Sequence, residues 1–324
     1  MDIYVKKAII HQFSPDDTDL YLADKFLNIT PKIEEYLRKK IERVYSDEAR
    51  TGIFEEDYPF LEMISDDLLE TSVAVANRWK EEFVVSENQK TNDLVFIQFS
   101  KEGVDHFAFL RIALRETLTH LGGEVDNPIK LTQNNLPGFG TGADEALVIN
   151  LQSRKYHLIE KRIKYNGTFL NYFSENLLQA QPKISPKKSI KALEKTAQKI
   201  AESFNTDDFQ FQSKVKSAIF NHIEEENKLS PEKLADDLFD DNLTARLSFI
   251  DQVKEAVPEP VTFEEIDASR QLKKFENQKL SLSNGIELIV PNNVYEDAES
   301  VEFILNENGT YSILIKNIED IQSK

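Results

Sequence analysis

The spacing of apolar residues changes character near residue 180, and this change constrains the fold more than any other feature. Upstream, strand-like runs are interspersed with stretches of helical period. Downstream, apolar residues recur every three or four positions, and strand-like runs return only near the end. Between the two regimes, QAQPKISPKK (179–188) carries two prolines and few apolar residues and reads as a linker. At 324 residues the chain is long for one core. The expectation is an α+β protein with an N-terminal mixed α/β domain over 1–180. A C-terminal domain over 181–324 is helical first and ends in a small antiparallel β unit.

In the first region, the apolar runs Ile3 to Phe13 and Leu20 to Leu22 flank SPDDTD and predict a hairpin. Asp16, Asp17 and Asp19 sit in its turn. They lack the glycine and distal glutamate of a calcium loop, so a solvated turn is the reading. Thr30-Pro31 predicts a helix start, followed by Ile33, Leu37, Ile41 and Val44. A second helix is expected over Leu61 to Val85, and strands over Leu94 to Phe99, Phe107 to Leu114 and Ala146 to Leu151. Phe169 to Leu178 reads as a helix. In the second region, four helices are marked by Ile190 to Phe204, Phe211 to Ile223, Leu234 to Leu238 and Leu247 to Val253, and Val257 to Val261 stops the run. Strands are expected over Leu280 to Val290, Val301 to Leu305 and Tyr311 to Ile315, with Asn308-Gly309 a hairpin turn.

Several function classes are excluded or disfavoured by composition. Without cysteine there are no disulfides, thiolate metal sites or thiol nucleophiles, and a reducing, cytoplasmic location is expected. The opening MDIYVKKAII lacks the order of a secretory signal, and charges such as Arg111 and Arg115 break the best apolar stretches, so no membrane span is expected. The formal net charge of -18 repels phosphate overall and argues against coating of DNA.

Stretches in order along the chain carry a resemblance. They are IIHQF at the start, RVYS at Arg43 to Ser46 with GIF at Gly52 to Phe54, and DEALVINL at Asp144 to Leu151. YHLIEKRIKYNGTFLNYFSENL at Tyr156 to Leu177 and LKKF at Leu272 to Phe275, followed by a small β unit, complete the series. Together they resemble the bacterial nucleoid-associated proteins of the NdpA/YejK type over nearly the whole length. The resemblance implies a non-enzymatic protein of the bacterial nucleoid, without cofactor or metal, working at or near DNA. It departs at EKRIKYNG, where relatives are richer in Arg, Lys and Gly, and at ENQKLSLSNG, where they carry a glycine-rich stretch.

The cations are strongly segregated. Arg154, Lys155, Lys161, Arg162, Lys164, Lys183, Lys187, Lys188, Lys191, Lys195 and Lys199 face only Glu160, Glu175 and Glu194 within 154–199, a local net of +8. Lys188, Lys191, Lys195 and Lys199 are spaced to form one helical stripe opposite Ile190, Leu193, Ile200 and Phe204. Such a stripe suits double-stranded DNA through its phosphates, without base preference. Arg270, Lys273 and Lys274 are candidate auxiliaries. The alternative for a charged helix face is simple solvation.

Other constellations point elsewhere. Gly138, Gly140 and Ala143 have dinucleotide-loop spacing, but a strand rather than a helix is expected to follow, which favours a plain flexible loop. The five histidines show no paired ligand spacing. Acidic clusters such as Glu224 to Glu226 and Asp236-Asp237 are the basis of a metal-dependent nuclease reading. LSPEKLADDLF and NLTARLSFIDQVKEA have a helix-turn-helix look, with Ser230 as N-cap. Residues 207–267 carry a net of -10, which suits a basic, DNA-processing protein partner in an adaptor role rather than phosphate, the alternative being a solvated face with no partner. Homo-oligomerisation stays open.

Overall fold

A computed structural model describes residues 1–16, 18–87, 89–120, 129–165, 167–206, 209–263 and 265–322. The chain divides into two compact units, Met1–Ser185 and Pro186–Lys324.

The first unit contains β1 (Ile3–Ser14), β2 (Asp19–Tyr21), α1 (Pro31–Glu42), β3 (Arg50–Ile53), α2 (Leu68–Phe83), β4 (Asn92–Lys101) and β5 (Val104–Ala113). It continues with β6 (Arg115–His120), β7 (Ile129–Asn135), β8 (Glu145–Asn150), β9 (Lys155–Ile159), β10 (Ile163–Tyr165) and β11 (Thr168–Leu170). Seven of these strands form an antiparallel sheet in the order β2-β1-β4-β5-β8-β9-β3. Its central strands read as continuous apolar blocks because helices cover both faces. On one face Phe13, Phe96, Phe109 and Leu147 pack against Val75, Ala76, Trp79 and Phe83 of α2. On the other, Val5, Ile97, Leu110 and Val148 pack against Leu37 and Ile41 of α1 and the following Val44 and Tyr45.

Local signals explain the element ends. The Thr30 hydroxyl accepts from the Ile33 amide, and Pro31 opens α1 as its fixed φ allows. α2 starts later than its apolar period suggests. A short 3-10 turn over Pro59–Met63 precedes it, and the Asp67 carboxylate caps the Leu69 amide, so the helix begins at Leu68. The expected helix over Phe169 to Leu178 is a correction. Thr168–Leu170 pair with β10, and only one π-turn follows, at Phe173–Leu177. Tyr172, Phe173, Leu177 and Leu178 are all buried, so burial rather than helical amphipathicity set that apolar spacing. Gly52 of β3 stands where a side chain would overlap the ring and hydroxyl of Tyr156, its partner on β9. Tyr156 in turn stacks on Phe54 at 4.3 Å, which fixes a residue without a side chain at this crossing.

The second unit contains α3 (Pro186–Ser203), α4 (Phe209–Glu226), β12 (Lys228–Leu229), α5 (Pro231–Leu238), α6 (Leu243–Lys254), β13 (Val261–Thr262) and α7 (Glu265–Phe275). It ends with β14 (Asn277–Ser281), β15 (Glu287–Pro291), α8 (Asn292–Tyr295), β16 (Val301–Leu305) and β17 (Tyr311–Ile315). Residues 186–188 thus belong to α3. One core joins Ile190, Leu193 and Ile200 of α3 to Val215 and Ile219 of α4, Leu234 of α5 and Phe249 of α6. The Ser230 hydroxyl accepts from the Lys233 amide and caps α5, as its place before Pro231 predicts. The expected strand over Leu280 to Val290 is two, because the chain turns at Gly285, whose φ is 88°. Gly309 supplies the left-handed turn between β16 and β17, at φ 78°.

Candidate nucleic-acid interface

α3 has the longest exposed row of cations among the candidates. Ile190, Leu193, Ala197, Ile200 and Ala201 are buried, which orients the helix. Lys188, Lys191, Lys195 and Lys199 lie on the opposite, exposed face. No salt bridge engages any of the four among the described residues; Lys199 donates to Gln252 Oε1 at 3.1 Å. The twelve residues from Lys188 to Lys199 span roughly 16 Å of helix. One DNA strand presents a phosphate about every 3.4 Å of duplex axis, so four phosphates fit within that length.

Two acids temper the row. Glu202 is exposed at its C-terminal end and accepts from Gln198. Glu194 is half-buried at its margin. Burial raises its carboxyl above the ordinary value, while Lys216 of α4 and Lys191 oppose that shift. The first turn of α3 holds Lys187 and Lys188 and no acid. This is the reverse of what the helix dipole favours and costs about 0.3–1 kcal/mol per cation.

In the first unit three of the candidate cations have carboxylates close by. Lys161 pairs with Asp144 at 2.7 Å and Lys164 with Glu87 at 2.9 Å, while Arg154 lies 3.9 Å from Glu56. Arg162 donates to the Phe169 carbonyl at 2.8 Å. Lys155 is half-buried on β9. The run that sums to a local +8 in sequence therefore falls in two units, and acids remote in sequence offset its first half. Lys187, Lys273 and Lys274 are exposed, Lys274 lying 3.4 Å from Gln271 Oε1. The Arg270 side chain and Asp17 lie outside the described residues.

Sequence reasoning missed two buried charge clusters. Arg111 of β5 donates to Glu145 Oε2 on β8 at 2.7 Å and to Asn92 Oδ1 at 2.9 Å. The Tyr172 hydroxyl donates to the same carboxylate oxygen, and Trp79 Nε1 donates to the Tyr172 oxygen at 2.9 Å. The second cluster holds the Gly138 and Gly140 segment, which is a tethered loop rather than a plain flexible one. The fully buried Lys40 ammonium donates to the carbonyls of Pro137, Gly138 and Thr141, and lies over the Tyr36 ring. Burial, with Arg43 and Arg115 nearby, pushes its ammonium down to about 8. β7 precedes this loop and β8 follows it, so it lacks the helix a dinucleotide loop requires.

His11 illustrates a histidine held for structure. Its Nδ1 accepts from the Ala23 amide at 3.0 Å, so Nε2 carries the proton and donates to Ser72 Oγ at 2.9 Å. Burial pushes the ring down to about 4, which keeps it neutral in the fold. The unfolded chain binds this proton more readily, so stability present above pH 6.5 should fall by about 3 kcal/mol as pH drops from 6.5 through 4. Urea midpoints across that range should show the slope, and His11→Gln should flatten it.

Among the described residues, no grouping of three or more His, Asp or Glu is fit to hold a metal, and no helix is long and apolar enough to cross a membrane. The model of one protein family, described as nucleoid-associated protein YejK, matches residues 9–321. The chain belongs to this nucleoid-associated family. The family match supports a nucleoid-associated role. No curated protein matches the chain individually. The family match spans both units, and so covers the sheet of the first and the lysine-bearing helix of the second.

Proposed function

We propose that this YejK-family protein contacts double-stranded DNA directly and without base preference through the lysine face of α3. The observation that carries this reading is four exposed lysines in register, none in a salt bridge among the described residues, on a helix whose opposite face is locked into a core. Lysine meets phosphate as a point charge, so such a face positions a backbone and reads no sequence. The -18 net charge confines contact to this local surface, since screening over about 10 Å at 0.1 M salt hides more distant acids. Lys187, Lys273 and Lys274 are secondary contributors. The cations of Arg154 to Lys164, offset by nearby acids, contribute less.

Fluorescence anisotropy with two labelled duplexes of unrelated sequence tests the proposal at low salt. Both should bind, with affinities within about threefold. Absence of binding to either, or a strong preference for one, refutes it.

A second reading rests on α6, where Leu243 and Leu247 are 65% and 54% exposed on one face beside Asp241 and Asp251. An apolar ridge flanked by acids suits a basic protein segment, in the manner of an adaptor at the nucleoid. That reading prevails if the pure protein fails to bind DNA.

A further inference from the structure

We propose that the β6–β7 ribbon is a self-association surface, on which a second copy of this chain packs the same face of its own ribbon in antiparallel, two-fold fashion. β6 and β7 pair with each other and with no strand of the main sheet. An isolated two-stranded ribbon is marginally stable in water unless one face is covered.

The two faces differ sharply in chemistry. Thr117, Thr119 and Thr132 share one face, and their hydroxyls hydrogen-bond to one another at 3.0 and 3.2 Å. On the other, Leu118 pairs with Leu131 and His120 with Ile129. Leu118, Ile129 and Leu131 are 73%, 66% and 55% exposed. At the root of this face Gln133 donates to Glu116 at 3.1 Å. Along the ribbon the order is therefore acid and amide, then leucine pair, then histidine and isoleucine.

That order is self-complementary. A two-fold axis lying between the two faces, along the Leu118–Leu131 direction and perpendicular to the strands, places leucines on leucines at the centre. It also sets His120 of each copy opposite Glu116 of the other. The described residues of the ribbon carry Arg115 and Lys130 against Glu116, so this element is nearly neutral in a chain of net charge -18. Like-charge repulsion between copies is weakest at such a place. The three apolar side chains expose roughly 350 Å² per copy, or roughly 700 Å² in the pair. A standard stable interface buries at least about 1,200 Å². The expected dimer is thus reversible, with a dissociation constant on the order of 10–100 µM.

Sedimentation velocity of the full chain, from about 1 to about 300 µM, tests this. The weight-average mass should rise from 37.3 kDa toward twice that value. Leu118→Asp and Leu131→Asp should each weaken association at least about tenfold, with thermal unfolding unchanged because both positions are exposed. His120→Glu should also weaken it, and adding Glu116→Lys should restore it by recreating an opposite-charge pair across the axis. A wild-type chain that stays monomeric throughout overturns the proposal, as does a dimer indifferent to Leu118→Asp. A monomer whose DNA affinity alone drops with Leu118→Asp also overturns it, and assigns the ribbon to the duplex instead.

Discussion

Glu145→Ala should destabilise the first unit by about 3–5 kcal/mol, the cost of removing one partner from a buried ion pair. Glu145 is fully buried in β8 opposite Arg111 of β5, and one of its oxygens accepts from both Arg111 and Tyr172. Its loss leaves the guanidinium with Asn92 as hydrogen-bond partner and the Phe83 ring at 5.2 Å. Tyr172→Phe removes the hydrogen bond to the charged Glu145 carboxylate, about 1.5–3 kcal/mol, and also leaves the buried Trp79 Nε1–H unpaired, so its cost should approach that of Glu145→Ala. Replacing Arg111 and Glu145 together by apolar residues should cost less than the sum of the single changes, because neither charge is then stranded. The chain has a single tryptophan, Trp79, which donates to Tyr172. Its fluorescence during urea unfolding therefore reports the first unit selectively. A loss below about 1 kcal/mol for Glu145→Ala would show that the cluster is well solvated after all.

Reversing Lys188, Lys191, Lys195 and Lys199 to glutamate should reduce duplex affinity at least about a hundredfold at 50 mM salt. Four favourable phosphate contacts become four repulsive ones, while the buried face of α3 is untouched. Stability should move the other way. Lys188 lies in the first turn, where a carboxylate complements the helix dipole and a cation opposes it by about 0.3–1 kcal/mol. Lys188→Glu alone should therefore keep or raise the melting temperature while weakening binding. A lysine retained only for solubility would show no such opposition between stability and affinity.

The lysine face of α3 was legible in the sequence because both its faces are set by spacing within one helix. Ile190, Leu193 and Ile200 fix what is buried, and the lysines then follow from geometry. The acids beside the Arg154 to Lys164 cations were not legible, because Glu56, Glu87 and Asp144 come from distant stretches that the fold of the first unit brings together. Arg111 is a related case. In sequence it interrupts an apolar run, and only the register of β5 against β8 brings Glu145 to it. The β4, β5 and β8 strands were recognisable as dense apolar runs, whereas Tyr172 to Leu178 mimicked a helix because its apolar residues are all buried. The β6–β7 ribbon escaped notice because Arg115-Glu116 and its threonines lack the apolar density of a core strand.

The central claim is that the four α3 lysines neutralise DNA phosphates, and the slope of log K against log salt measures it most directly. Four contacts contribute about -3.6 to that slope. Titrations of wild type and the four-glutamate variant against one duplex, each at several salt concentrations, should give a wild-type slope at least this steep. The variant should bind weakly, with a slope shallower by about 3.6. Equal affinities and equal slopes for the two proteins would contradict the account.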